Sequence, residues 1–168
     1  VRIHIKFDRG MGRVGLAPSQ AKSFIQKACA LPGIHVKGIM SHFARADEQD
    51  KSSAKEQLNL FEEIRLQTSA LGNFIYHISN SAAIFDLPQA LYQAVRPGIS
   101  IYGLKPSNEM HNQEVANLKP VMELVSSITF IKEVPAGTGL SYGHTYVTSR
   151  PSVIATIPLG YGDGFMRG

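Results

Sequence analysis

Apolar and polar residues alternate at the start of the chain, with Val1, Ile3, Ile5 and Phe7 set against Arg2, His4 and Lys6. A period of two predicts a strand. A glycine-rich loop, DRGMGRVG at 8–15, follows it. Pro18 and Ser19 then signal a helix start, and Ala21, Phe24, Ile25, Ala28 and Cys29 recur at helical spacing. Cys29 is therefore expected in the core. Pro32-Gly33 ends that helix, and residues 34–43 predict a second strand running into SHFARAD. Ser53 and Glu56 stand at capping-box spacing. Leu58, Phe61, Ile64 and Leu71 then mark a long helix. FIYHIS at 74–79 predicts a third strand, Asn80-Ser81-Ala82-Ala83 a short helix, and residues 99–104 a fourth strand.

Residues 1 to about 107 thus alternate strand and helix, the strands spaced about 35 residues apart. Such alternation implies parallel strands with helices packed outside. After the polar stretch 107–119 the pattern changes. Met122, Leu124, Ile128 and Phe130 predict strand, as do residues 142–147 and 153–159, with a Pro-Ala-Gly turn at 135–137. No helical period appears there. The division is expected near 108–120, with an α/β unit at 1–118 and the start of a β-rich domain at 119–168.

Four strand–helix units fit either a doubly wound sheet or part of a (β/α)₈ barrel. The polar residues favour the barrel. They cluster after each strand's C-terminal end: Asp8 to Arg13, then His42, then His77 with Asn80 and Ser81. In a barrel those loops converge on the face where chemistry occurs, and phosphate sites are common after the last two strands. Asn80-Ser81 at a helix start, and Gly98 in a tight turn, fit that use. A closed barrel typically takes about 250 residues, so the first half is expected upstream. The ends agree with a piece of a longer protein, since Val1 already lies in a strand pattern and the last residues read GYGDGFMRG.

Charge narrows the function classes. The 168 residues carry 43% hydrophobic and 18% charged residues and a net charge of +4. The basic residues are scattered singly, which argues against a nucleic-acid partner. The longest apolar runs are too short to span a bilayer, and no signal-peptide pattern is present. The lone Cys29 has no internal disulfide partner, and a cytoplasmic location is expected. No metal site is expected.

One short stretch raises a chemical question. AVRPGISIYGL, residues 94–104, sets a permanently charged guanidinium at the mouth of an apolar run. Alone, Arg96 reads as a solvated loop residue. DRGMGR reads as a turn, His42 and His77 as structural histidines, NSAA as an ordinary helix start, and SYGHTY as strand aromatics.

Their joint order reads otherwise. KFDRGMGRVGL, GIMSHFARAD, HISNSAAIFDLP, VRPGISIYGLKPS, LSYGHTY and IPLGYGDGFMR together resemble the alanine racemase family, fold-type III enzymes that use pyridoxal 5′-phosphate (PLP). The resemblance implies a PLP-binding barrel followed by a β domain, and the interconversion of L- and D-alanine that supplies peptidoglycan. It implies that Ser81, Gly98 and Ile99 hold the cofactor phosphate, with Asn80 beside them. Arg96 would face the pyridine nitrogen, His42 would link Arg96 to the catalytic tyrosine, and His77 would pack behind the ring. Arg13 would reach the cofactor's phenolate oxygen and the substrate carboxylate. Tyr142 matches the tyrosine that moves the α-proton, and Tyr161 and Arg167 match residues at the substrate entrance. The lysine that bonds the cofactor is placed upstream of Val1, so this chain alone is expected to be inactive. Each site would be completed by the partner in a homodimer. Arg9 stands where the family's glycine loop usually has threonine, and Gly162 where its GYADG segment has alanine. A broader racemase acting on lysine, arginine or serine, a non-catalytic PLP-binding barrel and a decarboxylase of the same fold are the alternatives. An acidic residue would be expected in place of Arg96 in the last.

Overall fold

The computed structural model describes residues 1–8 and 10–165. The chain divides into two compact units, Val1–Met122 and Glu123–Gly168.

The first unit is built on β1 (Arg2–Lys6), β2 (His35–Met40) and β3 (Ile75–His77), all parallel, in the order β1-β2-β3. Ile5, Ile39, Tyr76 and Ile78 turn one face of the sheet into the core, against Ile25 of α1 (Ala21–Ala30) and Phe61 and Ile64 of α2 (Ser52–Thr68). The opposite face carries His4, Gly38, Met40 and His77, because strand side chains alternate. The barrel-type alternation therefore separates packing from chemistry.

Several expectations are corrected. Residues 99–104 are not a strand: Ile99–Tyr102 form a 3₁₀ turn. The Ser81 hydroxyl accepts the Gly98 N–H at 2.7 Å and the Ser100 N–H at 3.3 Å, and Gly103 closes the turn at φ 73°. The sheet's contact with this segment ends at Arg96, whose N–H donates to Ser79 O at 2.9 Å. Cys29 is exposed, as α1 buries Ala21, Ile25 and Ala28, a stripe that leaves Cys29 outside it. No capping box forms at Ser53 and Glu56. α2 begins at Ser52, whose N–H is accepted by Asp50 Oδ1 at 2.9 Å. Leu71 lies past that helix in a 3₁₀ turn, Ser69–Leu71. The short helix at Asn80 forms as expected: the Asn80 side chain accepts the Ala83 N–H at 3.1 Å and caps α3 (Ser81–Asp86).

The polar stretch after Ser107 packs onto this unit, burying Met110 and Val115, the latter in α4 (Gln113–Ala116), whose cap is Asn112.

The second unit is β-rich. β4 (Phe130–Val134) pairs antiparallel with β7 (Ser152–Thr156), and β5 (Gly139–Leu140) with β6 (Tyr146–Val147). Met122, Leu124 and Ile128 lie outside any strand. The expected strand at 142–147 shrinks to β6, because Tyr142–His144 form a 3₁₀ turn. Among the described residues this unit buries only Val134 and Thr148. Thr148 Oγ1 donates to Pro135 O at 2.8 Å and accepts the Thr138 N–H at 3.0 Å, stapling the turn between β4 and β5.

Candidate functional site

The C-terminal ends of β1, β2 and β3 carry the polar cluster. Asp8, just past β1, organises the glycine loop: its carboxylate accepts N–H groups from Met11, Gly12, Arg13 and Val14 at 2.8–3.3 Å. Burial raises the carboxyl's pKa, but the Arg13 N–H and the Lys6 charge, with the Gly12 and Val14 N–H groups, outweigh it and hold it below its ordinary value. Gly15, at φ 137°, lets the loop return to β1; a Cβ there would sit 2.9 Å from the Asp8 N and 3.0 Å from Lys6 O. Arg13 is presented on the loop's exposed side.

Arg96 is the hub. Its Nη2 donates to Ser41 O at 2.6 Å and to His42 Nδ1 at 3.2 Å, and its Nη1 donates to His77 Nδ1 and to His77 O. No carboxylate among the described residues pairs with it. A guanidinium only donates, so both histidines must accept on Nδ1. They do so as neutral rings. Burial, then the Arg96 charge, then His4 push the His77 pKa down to about 4. Burial, Arg96, Arg13 and Lys6 lower that of His42, against a smaller opposing effect of Asp8.

Beside Arg96 opens a cavity of about 360 Å³ lined by His42, Asn80, Ser81, Arg96, Gly98 and Ile99, together with Met11, Asp47 and others. His77 lies behind Arg96, touching it rather than the cavity. At one side the Ser81 and Ser100 hydroxyls, 3.1 Å apart, meet the Gly98 N–H. Among the described residues apart from its chain neighbours, only Ser81 Oγ, at 3.8 Å, lies within 4 Å of a Cβ built on Gly98, so a side chain there would stand beside the Ser81 hydroxyl. Such a donor set suits a phosphate, and the guanidinium suits an unprotonated ring nitrogen; the residues fit PLP. A larger cavity, about 570 Å³, lies in the second unit, but Glu133 is its only ionisable lining residue and it offers no comparable donor set.

Tyr142 lies in the second unit, exposed on its 3₁₀ turn. The turn is strained: Ser141 sits at φ 59°, ψ −168°, and His144 at φ 47°. The His144 ring packs over Gly139, where a Cβ would approach within 2.5 Å. Tyr161 lines a separate cavity of about 290 Å³ with Ser141, Gly160 and Phe165. Arg167 lies outside the described residues.

The sequence pattern does not mark Met11, Asp47 or His4 individually. The first two stood inside recognised segments, DRGMGR and SHFARAD. His4 was marked only by sharing the strand face of Lys6.

A parallel sheet with its polar groups at the strand ends, followed by antiparallel strands, defines an α/β barrel segment leading into a β-rich unit. The family profile for the N-terminal domain of alanine racemase matches residues 1–106, and that for its C-terminal domain residues 121–168. The chain belongs to the alanine racemase family. An alanine racemase from Halothermothrix orenii is 48% identical over 168 residues, covering 99% of this chain and 44% of that protein. Among solved structures, an alanine racemase from Clostridium difficile 630 superposes with a TM-score of 0.83 at 39% identity, covering 99% of this chain and 44% of that one. The biosynthetic alanine racemase from Pseudomonas aeruginosa gives 0.84 at 32% identity, covering 99% and 45%. The chain spans about 44% of the length of the curated relatives it matches.

Proposed function

We propose that the protein containing this chain interconverts L- and D-alanine with PLP, as a cytoplasmic homodimer that supplies D-alanine for peptidoglycan. The observation that carries this reading is Arg96, a guanidinium held by two neutral imidazoles, with no carboxylate among the described residues paired to it. PLP, when bound, supplies an electron sink for the α-carbon. A guanidinium at the ring nitrogen cannot give up its proton, so it leaves that nitrogen unprotonated and the sink weak. A weak sink favours quick return of the proton to the α-carbon, hence racemisation over transamination.

The remaining roles follow the same chemistry. Ser81, Gly98 and Ile99, with Asn80 capping the helix, bind the phosphate. Arg13 holds the substrate carboxylate. Tyr142 moves the α-proton on one face, and the lysine upstream serves the other. His42 gives its Nδ1 to Arg96, which leaves Nε2 to join the partner's tyrosine network. Tyr161 and Arg167 border the substrate's path. A lone exposed cysteine fits a reducing compartment, and among the described residues no helix is long and apolar enough to cross a membrane.

The test is chiral analysis of the full-length protein with PLP, offered alanine, serine, lysine and arginine. Alanine is expected to give the highest kcat/KM. Faster turnover of lysine or arginine would replace the substrate assignment, and no racemisation of any would overturn the reading.

A further inference from the structure

Behind Arg96 the network continues away from the cavity. His77 Nε2 lies 2.7 Å from His4 Nδ1, with the ring centroids 4.9 Å apart and the planes at 61°. The two histidines are not on neighbouring strands. His4 stands on β1 and His77 on β3, with β2 between them. The residue of β2 directly opposite His4 is Gly38. A Cβ on Gly38 would collide with the His4 ring. The missing side chain is the groove through which His4 crosses the central strand.

Donor roles along this chain follow from Arg96. Its Nη1 can only donate, so His77 Nδ1 accepts. A neutral His77 then carries its proton on Nε2 and donates it to His4 Nδ1. His77 is buried, and among the described hydrogen bonds His4 is the partner of that Nε2. A buried N–H without its acceptor is costly, so losing the His4 acceptor frees the ring to turn or change tautomer.

We propose that His4 is a positioning residue: seated across Gly38, it clamps the His77 ring and thereby sets the aim of Arg96. The consequence for chemistry rests on the reading of Arg96 above. The clamp itself does not.

The test uses the full-length protein with three substitutions. His4→Phe keeps a ring but removes the acceptor. His4→Gln restores an acceptor oxygen. Gly38→Ala leaves His4 in place but closes its groove. The first measurement is nitrogen NMR of isotope-labelled histidine with the cofactor removed. The parent and His4→Gln are expected to hold His77 as the Nε2–H tautomer, while His4→Phe and Gly38→Ala give a mixture. The second is the ratio of pyruvate release to alanine racemisation with PLP loaded, expected to rise several-fold in His4→Phe and Gly38→Ala and to return towards the parent in His4→Gln. An unchanged His77 tautomer in both His4→Phe and Gly38→Ala would overturn the proposal. A changed tautomer in a protein that takes up no PLP would support the clamp and refute the cofactor reading instead.

Discussion

Arg96 and Tyr142 are the two groups on which the proposed chemistry turns, and the chain holds them in opposite ways. Arg96 is half-buried and tied to the ends of two strands, β2 through Ser41 and His42 and β3 through His77, backed by a core of Phe, Ile and Tyr side chains. Tyr142 stands exposed on a turn whose preceding residue is forced to φ 59°, in a unit that buries little of itself. The first group is placed by packing and redundant hydrogen bonds. The second stands on a turn whose backbone carries a local cost of about 1–3 kcal/mol for such a conformation. On the proposed reading, electrostatic tuning falls to a half-buried group held from two strand ends, and proton transfer to an exposed side chain on a strained turn.

The sharpest way to separate the two is to remove each group's chemistry alone. Tyr142→Phe in the full-length protein is expected to lower racemisation by about 10²–10⁴-fold, the usual worth of a general acid–base group. Cofactor binding should stay as in the parent, because the cavity beside Arg96 is lined by residues of the first unit. Exchange of the α-hydrogen with solvent should fall more for one enantiomer than the other. Equal and small losses in both directions would remove Tyr142 from its role.

Arg96→Glu is expected to act on partitioning rather than on one face. A carboxylate at the ring nitrogen favours its protonated form and a stronger sink. Racemisation should slow by about 10²-fold, on the scale seen when one preorganised donor is lost. Pyruvate release should rise, measured by coupled reduction. Unchanged partitioning would break the account of why arginine stands before Pro97-Gly98.

Stability should divide along the same line. Phe61→Ala, which empties a fully buried position in the first unit, is expected to cost about 3–5 kcal/mol. Val134→Ala in the second unit should cost only about 1–2 kcal/mol, since it removes two methyl groups from a sparse core. Denaturant midpoints of the full-length variants measure both. A larger loss from Val134→Ala would mean that this unit is held by more than the contacts described.

The two units also differed in how much of them the sequence disclosed. Parallel strands and their helices were legible because Ile3-Ile5-Phe7 and Leu58-Phe61-Ile64 carry clear periods tied to one buried face. The start of α3 was legible because an Asn cap before Ser81 is a local signal. Ile99–Tyr102 misled for the same reason that strands succeed: Ile99 and Ile101 alternate. What decides that segment is a hydrogen bond from Gly98 to Ser81, far away in sequence. Cys29 misled because one step along a helix turns a side chain by about 100°, out of the Ala21-Ile25-Ala28 stripe. In the second unit, Tyr142 was recognisable as a residue but its conformation was not, since a strained φ at Ser141 leaves no compositional trace. The crossing of His4 over Gly38 needed strand register, which no single-strand pattern contains.

The remaining expected effect concerns pH, and it probes the Arg96 side directly. His77 has its pKa lowered from an ordinary 6.5 to about 4 in the folded protein. The unfolded chain therefore takes up a proton between those values while the folded chain does not. Stability must then rise with pH across that window, and be lost as pH falls from about 6.5 towards 4. The loss attributable to His77 is of order 1–3 kcal/mol, since one pKa unit corresponds to about 1.4 kcal/mol. Asp8, lowered below its ordinary 3.8, adds its own loss only further down. Denaturant titrations of the parent and of His77→Gln at pH values from 4 to 7 resolve the contribution. His77→Gln keeps an acceptor for Arg96 but cannot titrate, so its stability should be flatter through the window. A parent and variant with equal slopes would mean that folding does not lower the His77 pKa, and that burial and the Arg96 charge do not hold the ring neutral through this window.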